Sequence, residues 1–393
     1  MTPRVAFFAD SFHEVNGVAL TCRQFDAYAR KNSLPFVSIH AGSETKVQES
    51  GSHKTIELNR GSASIAIESD LAFDPFLWRR GQWLLEQIRT SEPNLVHITG
   101  PSDIGILGAW VANQLCVPLV ASWHTNVHEY AGRRFDKRFA VFPGGLRRSI
   151  SSAAQNGTFH ATARFYKMAE LLFAPNQELM DLLRAITGKP CYRMVRGVDS
   201  EMFNPNRRPP GPRPFTIGYV GRLSPEKNVR FLAEIEKALL AAGHADFRIL
   251  IAGVGEELDW LAANLKNADF VGVLERDALA DVYALMDVFA FPSETDTFGN
   301  VVQEALATGV PAIVTSGGGP KFIVRHEETG YVSQNGEEFI QFIVKLKSDP
   351  ELLSRMSAAA RTWACSASWD NVFDHIYSRY EDLLRPEVLP VAS

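Results

Sequence analysis

The sequence is poor in cysteine and has no long hydrophobic run. Its cysteines stand far apart in a chain of 393 residues, without CxxC or Cys/His spacing: Cys22, Cys116, Cys191 and Cys365. We therefore expect buried, reduced thiols and no metal site built from cysteines. The apolar runs are shorter than the ~20 residues of a membrane-spanning helix. The opening segment, RVAFFADSF, predicts a strand rather than a signal peptide, so we expect a cytoplasmic protein.

The chain also lacks a positive net charge. A formal charge of −5 and a pI near 6.1 argue against a protein that binds nucleic acid over its whole surface. The composition, 46% hydrophobic and 22% charged, is typical of a globular protein. The length predicts two or three domains of ~100–200 residues each.

Short apolar runs alternate with helix-period stretches in both halves of the sequence. Predicted strands cover residues 4–10, 36–42, 95–100, 118–124, 171–175, 191–196, 215–221, 247–253, 270–274, 288–293 and 312–317. Such continuous apolar strands are typical of parallel sheets with helices on both faces, which predicts an α/β fold with two open sheets facing a cleft. Loops that directly follow strands then carry the chemistry.

Domain boundaries follow from composition and helical pattern. The segment NPNRRPPGPRP, residues 204–214, predicts a linker because proline excludes helix and sheet. We therefore expect domains over 1–205 and 206–365. The aromatic stripe of residues 369–384 predicts a helix within 366–393 that crosses back to the first domain.

The stretch SETDTFGNVVQEALATGVP, residues 293–311, places two carboxylates around an aromatic-glycine step. A helix is expected to begin near Gly299, where unpaired N–H groups and the helix dipole favour a phosphate. Asp296 and Glu304 can accept hydrogen bonds from a sugar ring and from a ribose, which suits a nucleotide sugar. The alternative is an ordinary strand–loop–helix with solvated acids. The candidate donor-binding residues here are Glu294, Phe298, Gly299, Asn300, Val301 and Glu304.

Two cations follow the first strand of the second domain, in GRLSPEKN. Arg222 and Lys227 bracket a turn at Pro225, where they can stabilise the charge of a departing nucleoside diphosphate. The alternative is a pair of solvated surface charges.

The first domain has its own strand-end candidates. In NGVALT, Asn16 and Gly17 occupy the first strand-to-helix loop, where glycine allows a diphosphate to approach the backbone. In SWHTN, His124 ends a strand, where its imidazole can contact the donor sugar or the acceptor. A structural histidine is the alternative.

Together these motifs resemble the retaining glycosyltransferases of family 4, which have the GT-B fold of two Rossmann-like domains. The resemblance rests on NGVALT, HTN, RGVD (196–199), GRLSPEKN, DTFGNVVQEALATGVP and SGGGPKFIV, and it covers nearly the whole chain. The first and last of these look most like the branch of sulfoquinovosyl- and glycosyl-diacylglycerol synthases and related mannosyltransferases.

The resemblance implies transfer of a hexose from a nucleoside-diphosphate sugar, with UDP or GDP as the nucleotide, to an acceptor hydroxyl with retention. The family usually has a Glu-x7-Glu pair; here Asp296 stands at the first position, with Glu294 as a second candidate, and Glu304 at the second. Arg222 and Lys227 match the family's diphosphate-binding cations, Gly17 its glycine loop and His124 its strand-end histidine. Without an Asp-x-Asp motif, we expect a metal-independent reaction that uses no cofactor.

Two other functions remain open at this point. A nucleotide-sugar 2-epimerase of the same fold would need additional acid/base residues near the sugar. A nucleotide-sugar-binding subunit without transferase activity is favoured only by aspartate at position 296.

Basic and aromatic residues alternate in YAGRRFDKRFAVFPGGLRRS, residues 130–149, and FDPFLWRR, residues 73–80, combines the same residue types. Such segments suit an anionic bilayer surface, which predicts a lipid acceptor and peripheral attachment to the inner face of the membrane. The alternatives are that the phenylalanines belong to the core and the arginines are merely solvated, or that the patch binds a soluble anionic acceptor. The candidate patch residues are Arg133, Arg134, Lys137 and Arg138.

Overall fold

The computed structural model describes residues 2–14, 16–61, 64–68, 71–124, 161–296 and 298–385. The chain divides into two compact units: unit 1 is Met1–Val195 with Val372–Ser393, and unit 2 is Arg196–Asn371. The predicted boundaries after 205 and 365 therefore both fall inside unit 2. Residues 204–214 do not act as a free linker, because Arg207 pairs with Asp277 and Asp281 at 2.8 Å and Arg208 pairs with Asp287.

Unit 1 is built on a mainly parallel sheet of order β10-β9-β8-β7-β1-β2-β4-β3 among the described residues. Its strands are Val5–Ala9 (β1), Phe36–Gly42 (β2), Lys46–Ser50 (β3), His53–Asn59 (β4), Leu95–Ile98 (β7), Leu119–Ser122 (β8), Leu171–Ala174 (β9) and Cys191–Arg193 (β10). Ile65–Glu68 (β5) and Leu71–Phe73 (β6) form a separate hairpin. The helices are Gly17–Lys31 (α1), Gly81–Arg89 (α2), Asp103–Leu115 (α3) and Gln177–Thr187 (α4).

Unit 2 has a fully parallel sheet of order β13-β12-β11-β14-β15-β16 in the described part of the chain. Its strands are Phe215–Val220 (β11), Phe247–Ala252 (β12), Ala268–Gly272 (β13), Val288–Phe291 (β14), Ala312–Thr315 (β15) and Gly330–Ser333 (β16). Its helices are Phe231–Ala241 (α5), Leu258–Asn264 (α6), Arg276–Ala284 (α7), Asn300–Ala307 (α8), Gly336–Ser348 (α9) and Pro350–Cys365 (α10).

The strand order reverses once in each sheet. In unit 2 the reversal lies between β11 and β14, and in unit 1 it lies between β1 and β7. Ligands of open α/β sheets bind outside the carboxyl ends of the strands at such a switch point. The loops after these four strands are therefore the places to look for chemistry.

The last helix, Trp369–Leu383 (α11), packs on unit 1 from Val372 onward. Phe373 stacks on Phe25 with ring centroids 4.6 Å apart, and the Tyr28 hydroxyl donates to Asp374. Its buried residues are Val372, Phe373, Ile376, Tyr377 and Tyr380. The aromatic stripe of the sequence thus completes the core of unit 1.

Several predictions about smaller features need correction. The sequence analysis predicted no strand at five places where the structure has one: β3, β4, β5, β6 and β16. Cys22 and Cys191 are buried as expected, whereas Cys116 and Cys365 are exposed. No helix among the described residues is long and apolar enough to span a membrane.

Candidate active site

The loops at the switch point of unit 2 bring two predicted residues together. Lys227 follows β11 and Asp296 follows β14, and Nζ of Lys227 lies 2.5 Å from Oδ1 of Asp296. Both side chains are 19% exposed, so the ion pair is only partly reached by solvent. The other oxygen of this carboxylate, Oδ2, is buried and has no hydrogen-bond partner among the described residues. A buried acceptor of this kind points to a ligand hydroxyl, because an unsatisfied polar atom costs about 1–3 kcal/mol.

The glycine run after β15, residues 317–319, contacts the main chain of the loop that contains Asp296. The Gly319 amide donates to the Asp296 carbonyl at 2.6 Å. Gly318 has a φ of +67°, and a Cβ there would lie 2.8 Å from that carbonyl oxygen. Within unit 2 this run therefore packs against the Asp296 loop.

Helix α8 begins as the sequence predicted. Gly299 has a φ of +104°, a conformation that favours glycine, and no side chain caps the helix start. The first amide groups of α8, at Asn300 and Val301, thus remain available to an anion. Phe298 is buried beside them.

Arg196 is a functional candidate that the sequence reasoning did not name. Its Nη1 donates to Oδ1 of Asn300 at 3.0 Å, and its guanidinium lies 5.5 Å from the centroid of the Phe298 ring. The residue is buried, and a buried cation at the start of a helix adds to its attraction for an anion. The motif RGVD was the available signal, since Arg196 is its first residue.

Glu304 lies one turn into α8 and is half-buried. The Tyr283 hydroxyl donates to Oε2 of Glu304 at 2.9 Å. Burial raises the pKa of Glu304 to about 7, while the Tyr283 hydrogen bond acts in the opposite direction. One carboxyl oxygen is thus held by the protein, and the group changes charge near neutral pH.

The remaining unit 2 candidates are more exposed. The side chain of Arg222 is exposed, while its carbonyl accepts a hydrogen bond from Tyr219 at 3.0 Å. Glu294 is also exposed, and its backbone, not its carboxylate, packs against Gly317 and Gly318. Asp296, which Lys227 holds in place, is therefore the better placed of the two acids.

In unit 1, Asn16 is the N-cap of α1. Its Oδ1 accepts hydrogen bonds from the amides of Val18 and Ala19 at 3.0 and 2.9 Å, and its Nδ2 donates to Ser11. Gly17 is the first residue of the helix. The predicted glycine loop is therefore a capped helix start in which Asn16 has a structural role.

Asp10 is a second residue that the sequence reasoning missed as a site. It follows β1 directly, and Ser102, after β7, donates a hydrogen bond to its Oδ1. Burial raises the pKa of Asp10 to about 7, with a further contribution from the charge of Asp103. The absence of a side chain at Gly100 leaves room for this carboxylate, since a Cβ there would lie 2.2 Å from Oδ2.

His124 is buried at the end of β8 and belongs to a hydrogen-bonded series. Its Nε2 is 2.8 Å from Oγ of Ser122, which is 3.0 Å from Nε2 of His97. Nδ1 of His97 in turn bonds the hydroxyl of Tyr380 on α11. Burial lowers the pKa of His97 to about 3, so its ring stays neutral. The position of His124 is therefore supported by the last helix of the chain.

The predicted basic patch, Arg133, Arg134, Lys137 and Arg138, lies outside the described residues. The related segment 73–80 is described: Trp78 is 67% and Phe76 45% exposed. The guanidinium of Arg79 lies 4.5 Å from the Phe76 ring centroid. Aromatic and cationic groups are thus exposed together in this part of unit 1.

Comparisons with known proteins show the family of this chain. Residues 51–202 match the family model described as Glycosyltransferase Family 4, and residues 202–363 match the model described as Glycosyl transferases group 1. The GDP-mannose-dependent alpha-mannosyltransferase of Mycolicibacterium smegmatis is 33% identical over 311 residues, covering 76% of each chain. The chain belongs to the glycosyltransferases of family 4.

Two further comparisons concern a second relative and a solved structure with a similar fold. The sulfoquinovosyl transferase of Arabidopsis thaliana is 30% identical over 73% of this chain and 56% of its own length. The sucrose-phosphate synthase of Thermosynechococcus elongatus superposes with a TM-score of 0.71 at 19% identity, covering 98% of this chain and 99% of the other. The family resemblance and the α/β, GT-B fold class that the sequence predicted are both confirmed.

Proposed function

We propose that this family-4 enzyme transfers a hexose with retention from a nucleoside-diphosphate sugar, GDP-mannose being the first candidate donor, to a hydroxyl of a lipid acceptor. The donor candidate follows from the name of the mycobacterial relative. The observation that carries the proposal is Asp296, whose Oδ2 is buried without a partner among the described residues. A hydroxyl of the donor hexose would satisfy that oxygen.

The other groups of unit 2 fit the rest of such a donor. The diphosphate would bind the uncapped start of α8, near Arg196, and Arg222 and Lys227 would stabilise its charge. The ribose hydroxyls would donate to Glu304, whose Oε2 is already oriented by Tyr283. Asp296 is shorter than the usual glutamate, yet it reaches Lys227, which argues against an inactive binding subunit.

The reaction proposed is a same-face displacement. As the bond from the anomeric carbon to the phosphate oxygen breaks, the acceptor oxygen attacks from the same side. The departing diphosphate takes the proton of the acceptor hydroxyl, so no metal ion and no second carboxylate are required. The cations Arg222 and Lys227 would act most strongly on the charge that develops as the phosphate leaves. In unit 1, His124 would contact the acceptor.

The acceptor is proposed to be a lipid presented at an anionic membrane. Support comes from the basic-aromatic composition of residues 130–149 and from the exposed side chains of Phe76 and Trp78. Rings of this kind enter the bilayer interface, and each nearby cation contributes about 1 kcal/mol. The enzyme would then be a peripheral protein on the inner face of the membrane.

Donor turnover tests the proposal directly. Purified protein is incubated with GDP-mannose, UDP-glucose or ADP-glucose, with anionic lipid vesicles as the acceptor source. The expected result is release of one nucleoside diphosphate and a glycolipid whose anomeric proton coupling shows the donor's configuration. An inverted product, or a 2-epimerised donor without transfer, would overturn it.

A further inference from the structure

Two histidines and a glutamate converge in unit 1, and none of the three is placed in the proposed transfer reaction. His13 lies in the loop after β1, His40 near the end of β2 and Glu57 in β4. One ligand atom from each lies within 4.8 Å of the other two. Nε2 of His13 is 3.8 Å from Oε1 of Glu57. His40 and Glu57 are buried, whereas His13 is exposed at the mouth of the cluster.

The surroundings of His40 engage one ring nitrogen and leave the other able to bind a ligand. Phe12 stacks on its ring, with centroids 3.9 Å apart and planes 2° from parallel. Nδ1 lies 3.3 Å from the carbonyl oxygen of Ala41, which favours the tautomer with hydrogen on Nδ1. The other nitrogen, Nε2, therefore has a free lone pair. It is buried and has no hydrogen-bond partner among the described residues.

A neutral imidazole whose second nitrogen donates to a carbonyl is the usual form of a metal-binding histidine. Two imidazole nitrogens and one carboxylate oxygen suit zinc and its first-row neighbours better than Mg²⁺ or Ca²⁺, which prefer oxygen ligands.

We propose that His13, His40 and Glu57 bind one zinc ion or a similar first-row transition-metal ion, with a fourth position left to water. Ligands about 2.0–2.2 Å from a tetrahedral ion lie about 3.4 Å apart, so the cluster must contract by up to about 1.4 Å from its 4.8 Å spread. The exposed side chain of His13 can supply this movement by rotation. Lys46, whose Nζ lies 3.3 Å from Oε1 of Glu57, would be displaced from that oxygen or would leave Oε2 to the ion.

Binding of the metal ion would link the loop after β1, through His13, to strands β2 and β4. This loop contains Asp10 and leads into the Asn16 cap of α1. The inference does not depend on the proposed donor or acceptor, because it concerns ion binding alone. The bound ion would order the loop and would have no part in the transfer step.

Metal binding is measured on the full-length protein after dialysis against a chelator. Calorimetric titration with Zn²⁺ is expected to give one ion per chain. Titration with Co²⁺ is expected to produce the visible absorption of a four-coordinate His₂-carboxylate site. Because a lost ligand costs more than the 10–100-fold of an outer-shell change, His13→Ala should raise the Kd for Zn²⁺ by roughly 100-fold or more.

His13 is exposed, so its replacement should leave the melting temperature of the metal-free protein unchanged. Glu57→Gln gives a second test that keeps the shape of the side chain, and it should also weaken Zn²⁺ binding. The control is His244→Ala, a histidine of unit 2 outside the cluster, which should bind like the wild type. Absence of a stoichiometric ion, or equal affinities for His13→Ala and His244→Ala, overturns the proposal.

Discussion

The ammonium group of Lys227 lies 2.5 Å from Oδ1 of Asp296, although the two residues follow different strands of the unit 2 sheet. The proposed phosphate-binding cation and the proposed sugar-binding acid therefore act as one unit. Removing either leaves the other partly buried without its charge partner, which is more costly than the loss of one contact.

We expect Lys227→Ala and Asp296→Ala each to lower kcat/KM by about 10²–10³-fold. The double variant should be no worse than the poorer single variant, because residues in one ion pair are not additive. Steady-state rates with GDP-mannose measure this. Lys237→Ala, an exposed lysine on α5, serves as the control. Strictly multiplicative losses would show that the two groups act separately.

Donor affinity should depend on the ionisation of Glu304, whose pKa burial raises to about 7. Ribose hydroxyls donate to the carboxylate form, so the Kd for GDP-mannose should rise as pH falls below 7, approaching tenfold per pH unit. Tyr283→Phe removes a hydrogen bond that lowers this pKa and should move the transition to higher pH. Calorimetric titrations between pH 5.5 and 8.5 measure both effects.

Glu304→Gln should abolish this pH dependence, whereas Glu234→Gln, at an exposed site on α5, should preserve it. A pH-independent Kd in the wild type would remove Glu304 from the ribose site.

The stability of the donor-free protein should change with pH in the opposite sense. Because the folded pKa of Glu304 is raised from 4.5 to about 7, its contribution is fully present below pH 4.5 and is lost as pH rises through about 7. Thermal melts should therefore show Glu304→Gln gaining on the wild type between pH 5 and pH 8. A constant difference across that range would contradict the raised pKa.

Arg222→Ala should lower kcat more than it weakens donor binding, since the charge on the departing phosphate is greatest in the transition state. Single-turnover rates and donor Kd separate the two quantities. Arg355→Ala, an exposed arginine on α10, is the control.

The transfer rate of the wild-type enzyme should survive EDTA and gain nothing from added Mg²⁺ or Mn²⁺. A need for either ion would refute the metal-independent reaction.

Membrane attachment should depend on the basic segment. Replacing Arg133, Arg134, Lys137 and Arg138 by glutamate should abolish sedimentation with anionic vesicles while leaving donor hydrolysis intact. Trp78→Ala should weaken sedimentation by a smaller factor, because that ring is 67% exposed. The opposite result would be a wild-type protein that does not sediment with vesicles at low salt but glycosylates a water-soluble acceptor. That result would show that the acceptor is soluble.

The predictability of this fold varies with how each strand is buried. Strands such as VAFFA and VFAF are apolar throughout, so their place in a parallel sheet follows from composition. Strand β4, HKTIELN, is equally buried but polar. His53 lies 2.9 Å from Asp26 on α1, and the Lys54 ammonium bonds the carbonyl of Gln87. Partners so distant in sequence leave no local pattern.

The candidate site was likewise predictable only where the local sequence determines its structure. The start of α8 at Gly299 was predictable because glycine and the apolar pattern mark it locally. The ion pair of Lys227 with Asp296 was not, because it depends on which strands lie side by side. Asp10 looked like an ordinary strand end, since Ser102 and Gly100, which enclose its carboxylate, belong to a distant loop.

The position of α11 has a consequence for how the chain is made. Phe373 and Tyr380 are synthesised after nearly all of unit 2, yet they complete the core that Phe25 and His97 begin. During translation, unit 1 must wait for all of residues 196–371, which takes on the order of ten seconds or more at about 5–20 residues per second. Throughout that interval the Phe25 ring lacks the Phe373 ring that stacks on it in the folded chain.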